Sequence, residues 1–144
     1  MHKSSKYCSC LYYTANALGR AMTRMADEEF ANTGLAPSYA FLLMTVGHQP
    51  GIQPTAISET MLLKPSTITR LIEKMEGRGF LHRKPVGRST EVFLTESGEH
   101  LIPKIQKAWK NLYHRYTDLL GEEMAKQLTM LTYQAVEKME GIEE

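Results

Sequence analysis

PSTITRLIEKMEGRGFL, at residues 65–81, is the stretch that decides the fold of this chain. Four apolar side chains in it recur at the spacing i, i+3, i+4 and i+7, which predicts a helix with one buried face. They are Ile68, Leu71, Ile72 and Met75. Pro65 suits the first turn of a helix, and the glycines at 77 and 79 mark its end. The opposite face of this helix is therefore left polar.

That polar face carries short hydroxyl side chains at the helix start and long cations further along. A recognition helix places its N-terminal residues at base edges in the major groove, where arginine pairs bidentately with guanine. Ser66 and Thr67 occupy the N-terminal place, Arg70 follows, and the lysines are better suited to phosphates. The residues predicted to contact DNA here are Lys64, Pro65, Ser66, Thr67, Thr69, Arg70, Lys74 and Arg78.

The segments on either side complete a winged helix-turn-helix pattern. A short helix is predicted from about residue 53 to 60, with Ile57 facing inward, and the tight link 62–64 joins it to the helix at Pro65. After Gly79, residues 80–84 and 90–94 predict a β-hairpin with a basic link at 85–89. Arg88 at its tip is expected to enter the minor groove, where narrow width favours arginine. The cations predicted to flank it are Arg83 and Lys84.

The remaining segments are helical by the same criterion. Apolar residues follow helical spacing in 11–30, in 37–47, in 96–120 and after Gly121. Thr95 is a good N-cap for the third of these helices, and Pro103 is expected to kink it. The expected fold is mainly α with a small β-hairpin wing: four helices, the hairpin, then two more helices.

Charge distribution supports a nucleic-acid partner. The chain of 144 residues has a formal net charge of only +1, yet residues 64–88 hold seven Lys/Arg against two Glu, a local charge of +5. The rest of the chain then carries −4, and a basic segment in an acidic protein is typical of a phosphate-binding surface. No apolar run reaches the ~20 residues of a membrane span, and no secretion signal is seen, so we expect a cytoplasmic protein, associated with the nucleoid when bound to DNA.

The sequence resembles the MarR family of transcriptional regulators along nearly its whole length. The resemblance rests on residues 65–81 with Arg83, on Leu94-Thr95-Glu96-x-Gly98, and on Thr33-Gly34-Leu35 before Pro37-Ser38. It implies a homodimer that binds a palindromic operator in double-stranded DNA, most often as a repressor. The winged-helix lobe would span about 36–95, within a single 1–144 protomer, and the dimerisation helices about 6–32 and 96–141.

Two positions depart from the family pattern. Val86 and Gly87 precede Arg88, where the family usually has an acidic residue that steadies this arginine. Lys64 stands where a capping Ser or Asp often precedes the proline, and a lysine side chain cannot cap a helix N-terminus. Lys64 is instead expected to contact phosphate.

The signal that controls such a regulator is open at this stage. The family implies a small-molecule effector pocket, with Tyr12, Met22, Met25, Trp109 and Tyr113 as candidate lining, although such residues also suit a plain core or a dimer interface. Cys8 and Cys10 are candidate redox sensors, or inert buried thiols that helical geometry would point apart. The histidines are dispersed and show no metal-binding spacing.

No motif indicates an enzyme or a cofactor. The chain lacks a P-loop, a GxGxxG, a GxSxG and an HExxH motif. The alternative to DNA binding is a winged-helix module that binds another protein, and salt dependence separates the two, since phosphate neutralisation gives a steep log–log slope.

Overall fold

The computed structural model describes residues 4–141, which fall into two units divided between Trp109 and Lys110. The predicted fold class is confirmed: six α-helices and a two-stranded hairpin occur in the described residues, in the predicted order. The elements are α1 (Leu11–Phe30), a 3₁₀ turn (Ala31–Thr33), α2 (Pro37–His48), α3 (Pro54–Met61), α4 (Pro65–Gly77), β1 (Leu81–Val86), β2 (Ser89–Leu94), α5 (Glu96–Leu120) and α6 (Glu122–Met139).

The core of the first unit lies between α2, α3, α4 and the hairpin. These three helices contact one another, and β2 contacts α2 and α3. The predicted inner face of α4 is buried in full, with each of its four apolar side chains at most 7% exposed. They share this core with Leu42, Leu43, Val46, Ile57, Leu81 and Val92. Burial of the apolar stripe therefore fixes which face of α4 remains in solvent.

The hairpin is longer and its turn tighter than predicted. Strand pairing runs from Leu81 opposite Leu94 to Val86 opposite Ser89, which leaves a turn of two residues, Gly87 and Arg88. Gly87 has φ +61°, and a glycine in the first central position is typical of a type II′ turn, which matches the twist of paired strands. The predicted five-residue link was wrong for this reason.

A third segment, unrecognised in the sequence, pairs with the wing. Ile52 forms an isolated antiparallel bridge with Val92, which donates its N–H to the Ile52 carbonyl at 3.1 Å. The Gly51 N–H in turn donates to the Val92 carbonyl at 2.9 Å. The bridge ties the start of the helix-turn-helix to the strand that leaves the wing.

Thr95 and Gly98 join the start of α5 to the end of α4. The Thr95 hydroxyl accepts the N–H of Gly98 at 3.1 Å, which confirms the predicted cap, and donates to the Gly79 carbonyl at 2.6 Å. A Cβ at position 98 would overlap the carbonyl oxygen of Phe80. A hydroxyl residue followed three positions later by glycine is thus needed for this close approach. Pro103 lies inside α5, which runs without interruption from Glu96 to Leu120.

The second unit buries little of its own apolar surface. Between residues 110 and 141 only Leu112 and Ala125 are buried. Eight large apolar or aromatic side chains in this range are exposed: Tyr113, Leu119, Met124, Met130, Leu131, Tyr133, Val136 and Met139. In the described part of the chain, no helix is both long and apolar enough to cross a membrane.

The predicted stripe of α1 is also poorly covered. Leu11 and Ala15 are exposed, Leu18, Met22 and Met25 are half-buried, and Phe30 alone is fully buried. The periodicity correctly predicted a helix, but the stripe does not form a core within the protomer.

Candidate nucleic-acid interface

The solvent face of α4 has the composition predicted for a recognition helix. Ser66, Thr69, Arg70 and Lys74 are exposed, whereas Thr67 is half-buried. The Thr69 hydroxyl donates to the Pro65 carbonyl at 3.1 Å. Because its proton is used there, the Thr69 hydroxyl can act outward only as an acceptor, while the exposed Ser66 and Arg70 supply donors.

The N-terminus of α4 is open. Lys64 is the N-cap residue and forms no side-chain cap, and Pro65, at the first helical position, has no N–H. The N–H groups of the first turn therefore face outward without a capping side chain, at the positive end of the helix dipole. The Lys64 side chain is exposed beside them. This combination favours an anion such as a phosphate.

The link between α3 and α4 is held by Ser58. Leu62 adopts φ +56°, the one left-handed non-glycine residue among those described. The Ser58 hydroxyl donates to the Leu63 carbonyl, and the Ser58 carbonyl accepts the Leu63 N–H at 3.1 Å. Ser58 is 8% exposed, so these bonds are shielded from water. They set the direction in which α4 leaves the link.

Arg83 pairs with a residue of α4. Its guanidinium donates to both carboxylate oxygens of Glu76, at 2.7 Å and 3.3 Å. The hydrogen bond from Arg83 lowers the pKa of Glu76, and the same bond raises the pKa of Arg83. The two side chains are about one third exposed, 36% for Arg83 and 35% for Glu76. The ion pair links the first wing strand to α4. It also engages the guanidinium of Arg83, which was predicted to contact DNA.

The remaining cations of the wing are exposed. Arg88 is the second residue of the tip turn, and Lys84 lies on β1. Within residues 4–141 no carboxylate pairs with Arg88, in keeping with the departure seen in the sequence. Arg78, just after α4, lies over the ring of Phe80 with 5.3 Å to its centroid. The structure thus places all eleven predicted DNA contacts in one lobe, with Thr67 half-buried and Arg83 paired with Glu76.

A half-open groove of about 1190 Å³ lies in the same unit. Its walls are α2, the end of α3, the end of β2 and one face of α5. Of the residues predicted to line an effector pocket, Trp109 lines this groove, and Tyr12, Met22, Met25 and Tyr113 are not among its lining residues. The sequence pointed to methionine and aromatic stripes, whereas the groove uses Phe41, Met44, Met61 and Phe93.

The two cysteines precede α1 instead of lying in it. Cys10 is the residue before the helix and Cys8 lies in a turn, so the helical geometry assumed for the pair was wrong. Both thiols are exposed, which contradicts the expectation of buried inert cysteines. Tyr7 stacks on Tyr13 nearby, with ring centroids 4.5 Å apart. Neither tyrosine is hydrogen-bonded to a thiol among the contacts described for these residues.

Three residues that shape the site were missed in the sequence. Glu76, near the end of α4, pairs with Arg83 on β1. The sequence signal for this pair was a Glu seven residues before an Arg, on either side of a helix end. Ser58 and Ile52 carry no distinctive local pattern, because their roles depend on the link and on β2.

Comparison with known proteins agrees with this architecture. The model of the MarR family matches residues 35–86. The uncharacterized HTH-type transcriptional regulator YhjH of Bacillus subtilis (strain 168) is 27% identical over 137 residues, covering 86% of this chain and 78% of that protein.

Two solved structures share the fold. The transcriptional repressor CouR, bound to a 23-mer DNA duplex, superposes with a TM-score of 0.80 at 23% identity, over 94% of this chain and 99% of that one. The regulator PcaV of Streptomyces coelicolor, in complex with its natural ligand, gives 0.78 at 19% identity, over 93% and 97%. The MarR family model thus matches the helix-turn-helix and the first wing strand of this chain, and the solved structures share its fold.

Proposed function

We propose that this chain is a homodimeric, sequence-specific DNA-binding repressor whose DNA affinity falls when a small molecule binds. The observation that carries the proposal is the solvent face of α4, with an open N-terminus, exposed Ser66 and Arg70, and a fully buried opposite face. CouR, a repressor of the same fold, was solved on DNA. In this proposal the protein needs no cofactor. It would act in the cytoplasm, bound to the DNA of the nucleoid.

In this proposal α4 enters the major groove. Arg70 reads a guanine, Ser66 reads a base edge, and the methyl group of the exposed Thr69 suits a thymine methyl. Lys64, Pro65, Thr67, Lys74 and Arg78 follow the phosphates at the groove edges. Lys84 and Arg88 of the wing extend the contact to the neighbouring minor groove.

Arg83 is assigned a different role from the one its sequence position suggests. Its guanidinium is engaged with both oxygens of Glu76, so it holds the wing against α4. We therefore treat Arg83 as a positioning residue and Arg88 as the arginine that reaches DNA. The ion pair also compensates for the acidic residue missing before Arg88, because it orients the wing by another route.

The dimer follows from the exposed apolar side chains. Fifteen large apolar or aromatic residues are exposed in the described chain, and eight of them lie in the second unit, between residues 113 and 139. Apolar surface concentrated in this way marks a protein–protein interface. A second copy is the natural partner, since dyad symmetry then places two recognition helices in successive major grooves about 34 Å apart.

Control by a ligand is assigned to the groove. Thr60, Met61 and Leu63 line it, and they lie directly before α4; Phe93 and Leu94 line it from the wing. A molecule bound there would contact the segment that leads into α4 and the second strand of the wing. If it favours another arrangement of α4 and the wing, it would lower DNA affinity by population shift. Oxidation of the exposed thiols Cys8 and Cys10 is a second route, proposed on exposure alone.

The test is a fluorescence anisotropy titration with the duplex upstream of the protein's own gene and a scrambled duplex. We expect tight binding that is lost on scrambling and in Arg70→Ala, and kept in Lys107→Ala, an exposed cation of α5 outside the site. The log–log salt slope should be about −0.9 per phosphate contact. Binding that is independent of Arg70 and of salt would contradict the proposal and favour a protein-interaction module.

A further inference from the structure

The charge of the groove restricts the molecules that it can hold. Among its eighteen lining residues there is no lysine or arginine, and Glu99 is the one carboxylate. The other polar groups are His48 and four neutral side chains, Ser38, Thr45, Thr60 and Gln106. A carboxylate or phosphate ligand would lose hydration here without gaining a permanent cationic partner. Anionic ligands are therefore disfavoured, although the unit that contains the groove is rich in cations elsewhere.

The apolar walls favour an aromatic body. Phe41 and Trp109 meet edge to face, with ring centroids 5.9 Å apart and an interplanar angle of 80°. Met44, Met61 and Phe93 add deformable or flat apolar surface. Trp109 is about half exposed, at 53%, so its ring is available to a ligand. Tryptophan is also the best ring for a cation–π contact.

One face of α5 carries both the carboxylate of the groove and part of its aromatic wall. Glu99, Ile102, Gln106 and Trp109 line the groove at spacings of three or four residues, which places them on one side of the helix. From Glu99 to Trp109 the helix rises roughly 15 Å. The carboxylate and the aromatic wall thus lie at two ends of one strip, separated by apolar and neutral groups.

From this arrangement we propose that the groove selects a lipophilic cation: an aromatic ring that packs on Phe41 and Trp109, joined by an apolar chain to an ammonium group paired with Glu99. The inference rests on the proposed function for its regulatory meaning and names the effector class. Neutral analogues bind more weakly because they lack the charge pair, and anions bind weakest because they face Glu99. The release of DNA follows from contact with Met61 at the end of α3 and with Leu63 in the link that leads into α4.

Trp109 makes the test independent of DNA. It is the single tryptophan of the chain, so its emission reports on the groove in the free protein. Three probes of equal length are titrated into the intact dimer: phenylhexylamine, phenylhexanol and phenylhexanoate. We expect affinity to fall in that order, with about tenfold between the amine and the carboxylate. Equal or tighter binding of the carboxylate, or no change in emission with any probe, would overturn the proposal.

Two substitutions assign the preference to its residue. Glu99→Gln should bring the amine to the affinity of the alcohol, while Glu96→Gln, an exposed carboxylate on the same helix that does not line the groove, should keep the wild-type order. A preference that persists in Glu99→Gln would contradict the assignment. A DNA titration with the amine present separates the two proposals: emission changes without any DNA binding would sink the repressor function and leave the ligand class standing.

Discussion

The winged lobe and the second unit use their apolar residues in opposite ways. In residues 35–98 the apolar faces of α2, α3, α4 and the hairpin close on one another, and their central side chains are fully buried. In residues 110–141 only two side chains are buried, and large apolar groups point to solvent on α6. The lobe is complete as a packed unit, whereas the second unit is incomplete until something covers it. Under the proposed function, the winged lobe would bind DNA and the second unit would join two copies of the chain.

The largest expected effect is a loss of dimerisation when exposed apolar residues of the second unit are replaced. Met124 and Leu131 are each more than half exposed and lie two helical turns apart on α6. Replacing both with Glu should weaken dimerisation by about a hundredfold or more, because an unpaired buried charge costs roughly 3 kcal/mol or more. Sedimentation velocity across a concentration series measures the change.

The matched control for that experiment lies on the wing. Val86→Glu introduces a charge at a comparably exposed apolar residue of the lobe, 44% exposed, and should leave the dimer intact. A double α6 variant that sediments as the wild-type dimer at every concentration would show that these side chains do not form the interface.

The next effect tests how tightly the lobe is closed. Gly98→Ala places a Cβ against the Phe80 carbonyl oxygen, so backbone must move, and we expect a loss of about 1–3 kcal/mol in the free energy of unfolding. Gly77→Ala at the end of α4 meets no atom within 4 Å and should be neutral or stabilising. Chemical denaturation compares the two, and equal stabilities would refute the close approach.

A smaller effect is expected at the link between α3 and α4. Ser58→Ala removes the hydroxyl that donates to the buried Leu63 carbonyl, which should cost about 1–2 kcal/mol. Ser66→Ala, an exposed hydroxyl on α4, is the control and should change DNA affinity without changing stability. If Ser58→Ala unfolds at the wild-type denaturant concentration, the link is held by the backbone bonds alone.

Local sequence patterns predicted the helices and the wing, but they did not predict the hydrogen bonds and the ion pair that join these elements. The α4 stripe, the Thr95 cap and the hairpin could be predicted because each depends on residues within one turn or one strand pair. The Ile52 bridge, the Ser58 bond and the Glu76–Arg83 pair join separate elements, so no short-range period marks them. The groove was missed in most of its residues because its lining comes from four elements.

The smallest effect concerns the Glu76–Arg83 ion pair. Its hydrogen bond lowers the pKa of Glu76 below the ordinary 4.5, so the pair stabilises the fold above that pH and its contribution is lost as pH falls through the lowered pKa. Since both side chains are one third exposed, we expect well under about 1 kcal/mol. Thermal unfolding of wild type and Glu76→Gln should therefore differ at neutral pH and converge in acid.

The DNA affinity of Glu76→Gln also tests the role of this pair, because the two possible roles predict changes in opposite directions. On charge alone, Glu76→Gln removes a negative group from the DNA side and should tighten binding. If the pair positions the wing, the same change weakens binding, as does Arg83→Gln, and the salt slope of Arg83→Gln stays at the wild-type value. A slope smaller in magnitude by about 0.9 would instead show that Arg83 contacts a phosphate.

Selection of duplexes from a random-sequence pool by the intact protein tests the central claim most directly. A dimer that carries two winged lobes should enrich a dyad-symmetric site whose half-site centres lie about 10 base pairs apart, one turn of DNA, and Arg70→Ala should lose the enrichment. Enrichment of a single unpaired half-site, or of no sequence at all, would contradict the account of a dimeric reader of palindromic DNA.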